Sequence, residues 1–144
     1  MQIVQKATLV LIFCLFWAGC GDDATVNSPM NAEEMENMSS TREGNFSALN
    51  GKTTSGRATL REVTPGTLRL DFSSDFSLSN GPGLFVMLSN SEFPSDDAVT
   101  IGGFISPTGP QMYTIPEGVT LDSFTHVLVH CVPYDVTFAA AELK

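Results

Sequence analysis

From residue 44 to the C-terminus, apolar and polar side chains alternate with a period of two, and clusters of Gly, Pro, Asn and Ser cut the runs short. Neighbouring side chains in a strand point to opposite faces, so this pattern builds sheets with one buried face. A helix would need its apolar stripe to recur about every 3.6 residues. No stretch carries that period for three turns, so the sequence predicts an all-β domain.

Taken in order, residues 44–49 read as a short strand ended by Asn50-Gly51. Residues 53–63 read as one strand, with Gly56, Ala58 and Leu60 facing one way and Arg57, Thr59 and Arg61 the other. Thr64-Pro65-Gly66 is a turn, and residues 67–72 alternate Leu68, Leu70 and Phe72 against Arg69 and Asp71, which makes a hairpin with the preceding strand. The charged faces of that hairpin carry no chemistry. Residues 73–83 are a loop dense in turn residues. Residues 84–88, LFVML, are apolar on both faces and read as a central strand. Residues 99–105 are a strand in which Gly102-Gly103 marks a bulge or a close backbone approach. Residues 111–115 are a further strand, and residues 121–124 are expected to make a single helical turn. The chemistry-bearing residues then gather near the end. Val127, Val129 and Cys131 alternate with His126, Leu128 and His130. Pro133 stops that strand, and residues 135–143 form another, with Val136, Phe138 and Ala140 on one face. About eight short, mainly antiparallel strands fold as one β-sandwich or barrel-like domain.

The N-terminus reads as targeting sequence. Residues 7–17, ATLVLIFCLFW, form an apolar run too short for a spanning helix, which takes about 20 residues, and of the length of a signal peptide core. Trp17-Ala18-Gly19-Cys20 resembles a bacterial lipobox, although Trp17 stands where Leu is usual. That resemblance implies a signal peptide at residues 1–19, cleavage before Cys20 and a lipid on its sulfur. An ordinary signal peptide followed by a cysteine is the alternative. Residues 20–43 hold six acidic residues and one basic one and read as a flexible tether; residues 44–144 form the domain. The domain has ten acidic and five basic side chains, a net charge of −5, which is no footprint for nucleic acid.

With Cys14 removed and Cys20 acylated, Cys131 is left alone and an intramolecular disulfide is excluded. A lone thiol either fills the core or reacts or binds a ligand. His126 and His130 lie about 13 Å apart on one strand face, too far to share a metal, and read as surface or rim residues. Metal at Cys131 would need partners from other strands, such as Met87 or Met112. Asp71 and Asp75 could flank a calcium ion, but no calcium-loop pattern is present, and no metal site or cofactor is assigned. Hydrolase, phosphate-loop and Cys-x-x-Cys motifs are absent, so the sequence names no enzyme class.

Gly44-x-Phe46, Thr54-Ser55-Gly56, Leu68-x-Leu70-x-Phe72, Gly81-Pro82-Gly83-Leu84, Gly109-x-Gln111-x-Tyr113-x-x-Pro116, Val127-x-Val129-x-Cys131 and Val136-x-Phe138-x-x-Ala141-x-Leu143 stand in an order and spacing that resemble the DM-thirteen domain, which is associated with DOMON and Skeletor-type proteins. The resemblance covers most of the 101 residues from Gly44 onward. It implies a redox or electron-transfer accessory module, Cys131 as the functional residue and a redox partner protein. The family commonly has Trp before the cysteine and Gly after the Phe of the last strand; here these are His130 and Ala139. The expected protein is an exported lipoprotein held at the bacterial cell envelope, periplasmic or at the outer surface. The alternative is a non-catalytic binding module there, with Cys131 a buried structural thiol.

Overall fold

The computed structural model describes residues 40–144. The proposed signal peptide, Cys20 and the tether up to residue 39 lie outside the described residues. The described residues form ten strands: β1 (Thr41–Ala48), β2 (Thr54–Ser55), β3 (Arg57–Thr64), β4 (Thr67–Phe72), β5 (Ser77–Leu78), β6 (Leu84–Ser89), β7 (Val99–Gly103), β8 (Gln111–Thr114), β9 (His126–Cys131) and β10 (Val136–Glu142). Eight of them make one antiparallel sheet in the order β7-β6-β9-β10-β1-β3-β4-β8, and β2 pairs with β5 apart from it. The sheet curls into a nearly closed barrel, the architecture expected from the alternation. Its two end strands approach across a seam, where the Ile105 N–H just beyond β7 meets Tyr113 Oη and Gln111 Oε1 of β8, both at 3.3 Å.

One face of the eight-stranded sheet fills the barrel. Ala58, Leu60, Leu70, Val86, Leu88, Val127 and Val129 have no exposed surface. An aromatic cluster occupies one region of the core. Phe72 lies 4.8 Å from both Phe46 and Phe76, and Tyr113 lies 5.5 Å from Phe72, between ring centroids. Phe76 comes from residues read as a polar loop, yet it is 1% exposed.

Several local expectations are corrected. Strand β1 begins at Thr41, three residues inside the span read as tether, because Arg42 is fixed there: its guanidinium donates to the carbonyls of Leu121, Phe124 and Leu143 at 3.0, 3.1 and 2.7 Å. Gly56 splits residues 53–63 into β2 and β3. Its φ is +97°, and a Cβ there would lie 2.6 Å from Phe76 Cα, so the chain turns where alternation alone suggests continuity. Residues 121–124 form turns and a bend, not a helix; Phe124 is buried. The bulge expected beside Gly102 is present, because the β6–β7 register shifts between Val86 and Met87. A second bulge was not expected. The β9–β10 register skips Phe138, so Ala139 and Ala141 face the core and Ala140 pairs with Leu128 on the other face, rather than sharing a face with Phe138.

Candidate functional site

Cys131 ends β9 on the core face, 1% exposed, where three loops from distant parts of the chain meet. The first is the turn after β1. Asn50 and Gly51 have φ of +50° and +69°, and the Lys52 N–H closes the turn on Leu49 O at 3.0 Å. Asn-Gly is a sequence suited to such positive-φ turns. The turn is tied to the β10 bulge, since Leu49 N–H donates to Phe138 O and Asn50 Nδ2 donates to Thr137 O. It sets the Lys52 ammonium over the Phe138 ring, 4.5 Å from the centroid.

The second loop is Gly81-Pro82-Gly83. A Cβ on Gly81 would meet the Phe138 ring at 2.4 Å, and one on Gly83, whose φ is +59°, would meet Pro133 Cδ at 2.6 Å. Only glycine lets the backbone lie this close. The result is that Pro82 O faces Cys131 Sγ at 2.9 Å and accepts its S–H hydrogen bond. The third loop is the 3-10 turn Val132–Tyr134. Val132 N–H donates to Gly83 O at 3.1 Å, and Asp135 adopts a left-handed conformation that returns the chain to β10. Pro82, Val132, Pro133 and Tyr134 are exposed around the sulfur. Together the loops leave an apolar cleft of about 280 Å³ lined by Lys52, Pro82, Cys131, Tyr134, Val136 and Phe138.

His130 faces away from Cys131, as expected of strand neighbours. It is not a rim residue: it is 5% exposed, with Nδ1 at 3.0 Å from Thr137 Oγ1 and Nε2 at 3.3 Å from the exposed Asp135 carboxylate. His126 contacts the Thr125 hydroxyl at 2.8 Å. Met87 pairs with Leu128 and Met112 with Asp71, both off the core face, so neither meets the thiol. Asp71 is held between Arg61 and Arg69 at 2.9 and 3.0 Å instead of joining Asp75. The Ser73 hydroxyl holds the Asp75 carboxyl below the usual carboxylate range, and Ser95 and then Asn90 do the same for Asp97. Among the described residues no three His, Cys, Asp or Glu side chains gather to hold a metal.

A larger cleft of about 370 Å³ lies elsewhere, beside Glu43, His126 and Glu142. It is polar, and Glu43 and Glu142 are already paired with Arg57 and Lys144. Sequence reasoning picked out Cys131 but missed Lys52 and Phe138. The Asn50-Gly51 signal was legible; that it would dock Lys52 on a ring 86 residues later was not.

Residues 45–143 match the family model described as Electron transfer DM13. The chain belongs to this family. No curated protein and no solved structure matches it.

Proposed function

We propose that the domain is a redox or electron-transfer accessory module in which Cys131 is the reacting group, met by its partner at the cleft beside Lys52 and Phe138. The observation that carries this reading is that Cys131, the one cysteine among the described residues, forms part of a cleft wall, held by loops rather than sealed by strands on every side. A two-electron exchange here runs through a mixed disulfide. The Cys131 sulfur attacks one sulfur of a partner disulfide, the new S–S bond forms as the old one breaks, and the S–H proton goes to the departing sulfur. Cys131 is thereby oxidised and the departing sulfur reduced. Attack requires the Pro82 carbonyl to release the thiol first, since a thiolate has no proton to donate to it. Poising the full-length protein in thiol–disulfide buffers tests this, with peptide mass spectrometry at Cys131. Reversible adduct formation in the folded protein is expected, and none at all would overturn it.

The apolar run at residues 7–17 and the lipobox-like Cys20 support presentation of this module on a lipid anchor at the bacterial cell envelope. Metabolic labelling with a tagged fatty acid, lost in Cys20→Ala, tests the anchor. A second reading, a binding module with a structural thiol, is favoured by the 1% exposure of Cys131. It predicts no adduct until the protein unfolds.

A further inference from the structure

Six basic side chains lie among the described residues, and five are committed. Arg42, Arg57, Arg61, Arg69 and Lys144 lie 3.7, 3.1, 2.9, 3.0 and 3.1 Å from carboxylates. Among the described residues Lys52 has no carboxylate partner. Its ammonium rests on the Phe138 ring in the cleft that Cys131 also lines, and it is the cleft's one charged lining group. In a domain of net charge −5, an unpaired cation at an apolar opening is a complement for an anion, not part of the surface's own ion pairs. The neighbouring walls, Pro82, Val136 and Tyr134, offer apolar contact to the rest of a ligand. At about 280 Å³, the cleft falls just below the range of drug-sized ligand sites, which begin at roughly 300 Å³. This volume suits a small organic molecule.

We infer that the cleft selects small organic disulfides bearing a carboxylate, with Lys52 pairing the carboxylate while a sulfur of the same molecule meets Cys131. The inference rests on the redox reading of Cys131 and adds its substrate class. The exchange is the one already balanced: the small disulfide is the oxidant, its S–S bond breaks, its departing half leaves as the thiol, and Cys131 keeps the other half.

The test compares three probes on the full-length protein: dithiodiglycolate (anionic), 2-hydroxyethyl disulfide (neutral) and cystamine (cationic). Adduct rates at Cys131 are read by peptide mass spectrometry, and each is divided by the rate in denaturant to remove intrinsic reactivity. The anionic probe is expected to be favoured over the cationic one by about tenfold, the scale of a solvent-screened attraction for one probe combined with a similar repulsion of the other. Lys52→Gln should bring the ratio to one, and Lys52→Glu should invert it. Equal normalised rates, unchanged in both variants, would overturn the inference while leaving the redox reading in place. No adduct with any probe in the folded protein would overturn the redox reading and this inference with it.

Discussion

The sulfur of Cys131 lies 2.9 Å from the carbonyl oxygen of Pro82, a residue 49 positions earlier in the chain. This contact joins the end of β9 to the loop before β6 and makes the thiol a hydrogen-bond donor at rest. The positions on either side of Pro82 hold it there, because both are glycines pressed against other elements.

Gly66 and Gly83 both have positive φ, but a Cβ on Gly66 meets nothing within 4 Å, whereas one on Gly83 runs into Pro133. Gly66→Ala should cost about 1–2 kcal/mol from backbone strain alone. Gly83→Ala should cost about 2–4 kcal/mol, because overpacking adds to the strain. Urea denaturation of the two variants measures the difference. Gly81→Ala, which pushes the loop off the Phe138 ring, should also speed thiol labelling at Cys131; labelling no faster than in the wild type would show that this loop does not control access to the thiol.

Arg42 and Arg57 should separate sharply. Arg42 satisfies three carbonyls that belong to the 121–124 turn and the C-terminal end, and its side chain is 22% exposed. Arg42→Met should cost about 2–3 kcal/mol, since three part-buried carbonyls lose charged donors. Arg57 forms an exposed pair with Glu43, and Arg57→Met should cost less than about 1 kcal/mol. Equal losses in denaturant midpoint would contradict a stabilising role for the three Arg42 hydrogen bonds.

Tyr113 gives a pH dependence. Burial raises its phenol above the ordinary value of 10.0, and its hydroxyl donates to Gln111 Oε1 at 2.6 Å. The unfolded chain then loses this proton at lower pH than the folded one. Stability from this group is fully present below about pH 10 and falls as pH rises through the folded value. Tyr113→Phe should be less stable than the wild type at neutral pH, through the lost hydrogen bond, and should lose less stability on going to alkaline pH. Parallel decline of the two proteins, followed by denaturant midpoint against pH, would refute the assignment.

Strand alternation made most of the barrel legible, since Leu68, Leu70 and Phe72 on β4 and Val127, Val129 and Cys131 on β9 face the core as a period of two requires. Expectation failed where one residue changed the parity or direction of the chain. Gly56 ended a strand that alternation would continue, and the bulge at Phe138 put Ala140 on the opposite face. Arg42 and Phe76 lay in segments whose composition reads as tether and loop, and their burial depends on partners far along the sequence. The candidate thiol was visible because cysteine is rare in this chain. Lys52 was not, because which cations pair within the domain can be seen only once the domain's own carboxylates have been placed.

Redox chemistry at Cys131 requires the thiol to react in the folded state. The direct measurement is the rate of its modification by a small thiol reagent in the full-length protein, read at the Cys131 peptide, across low concentrations of urea. If the loops give access by local opening, the rate should be nearly independent of urea below the unfolding transition, because little surface is exposed in such an opening. If modification occurs only with a steep urea dependence matching global unfolding, the thiol is a structural part of the core and the redox reading fails.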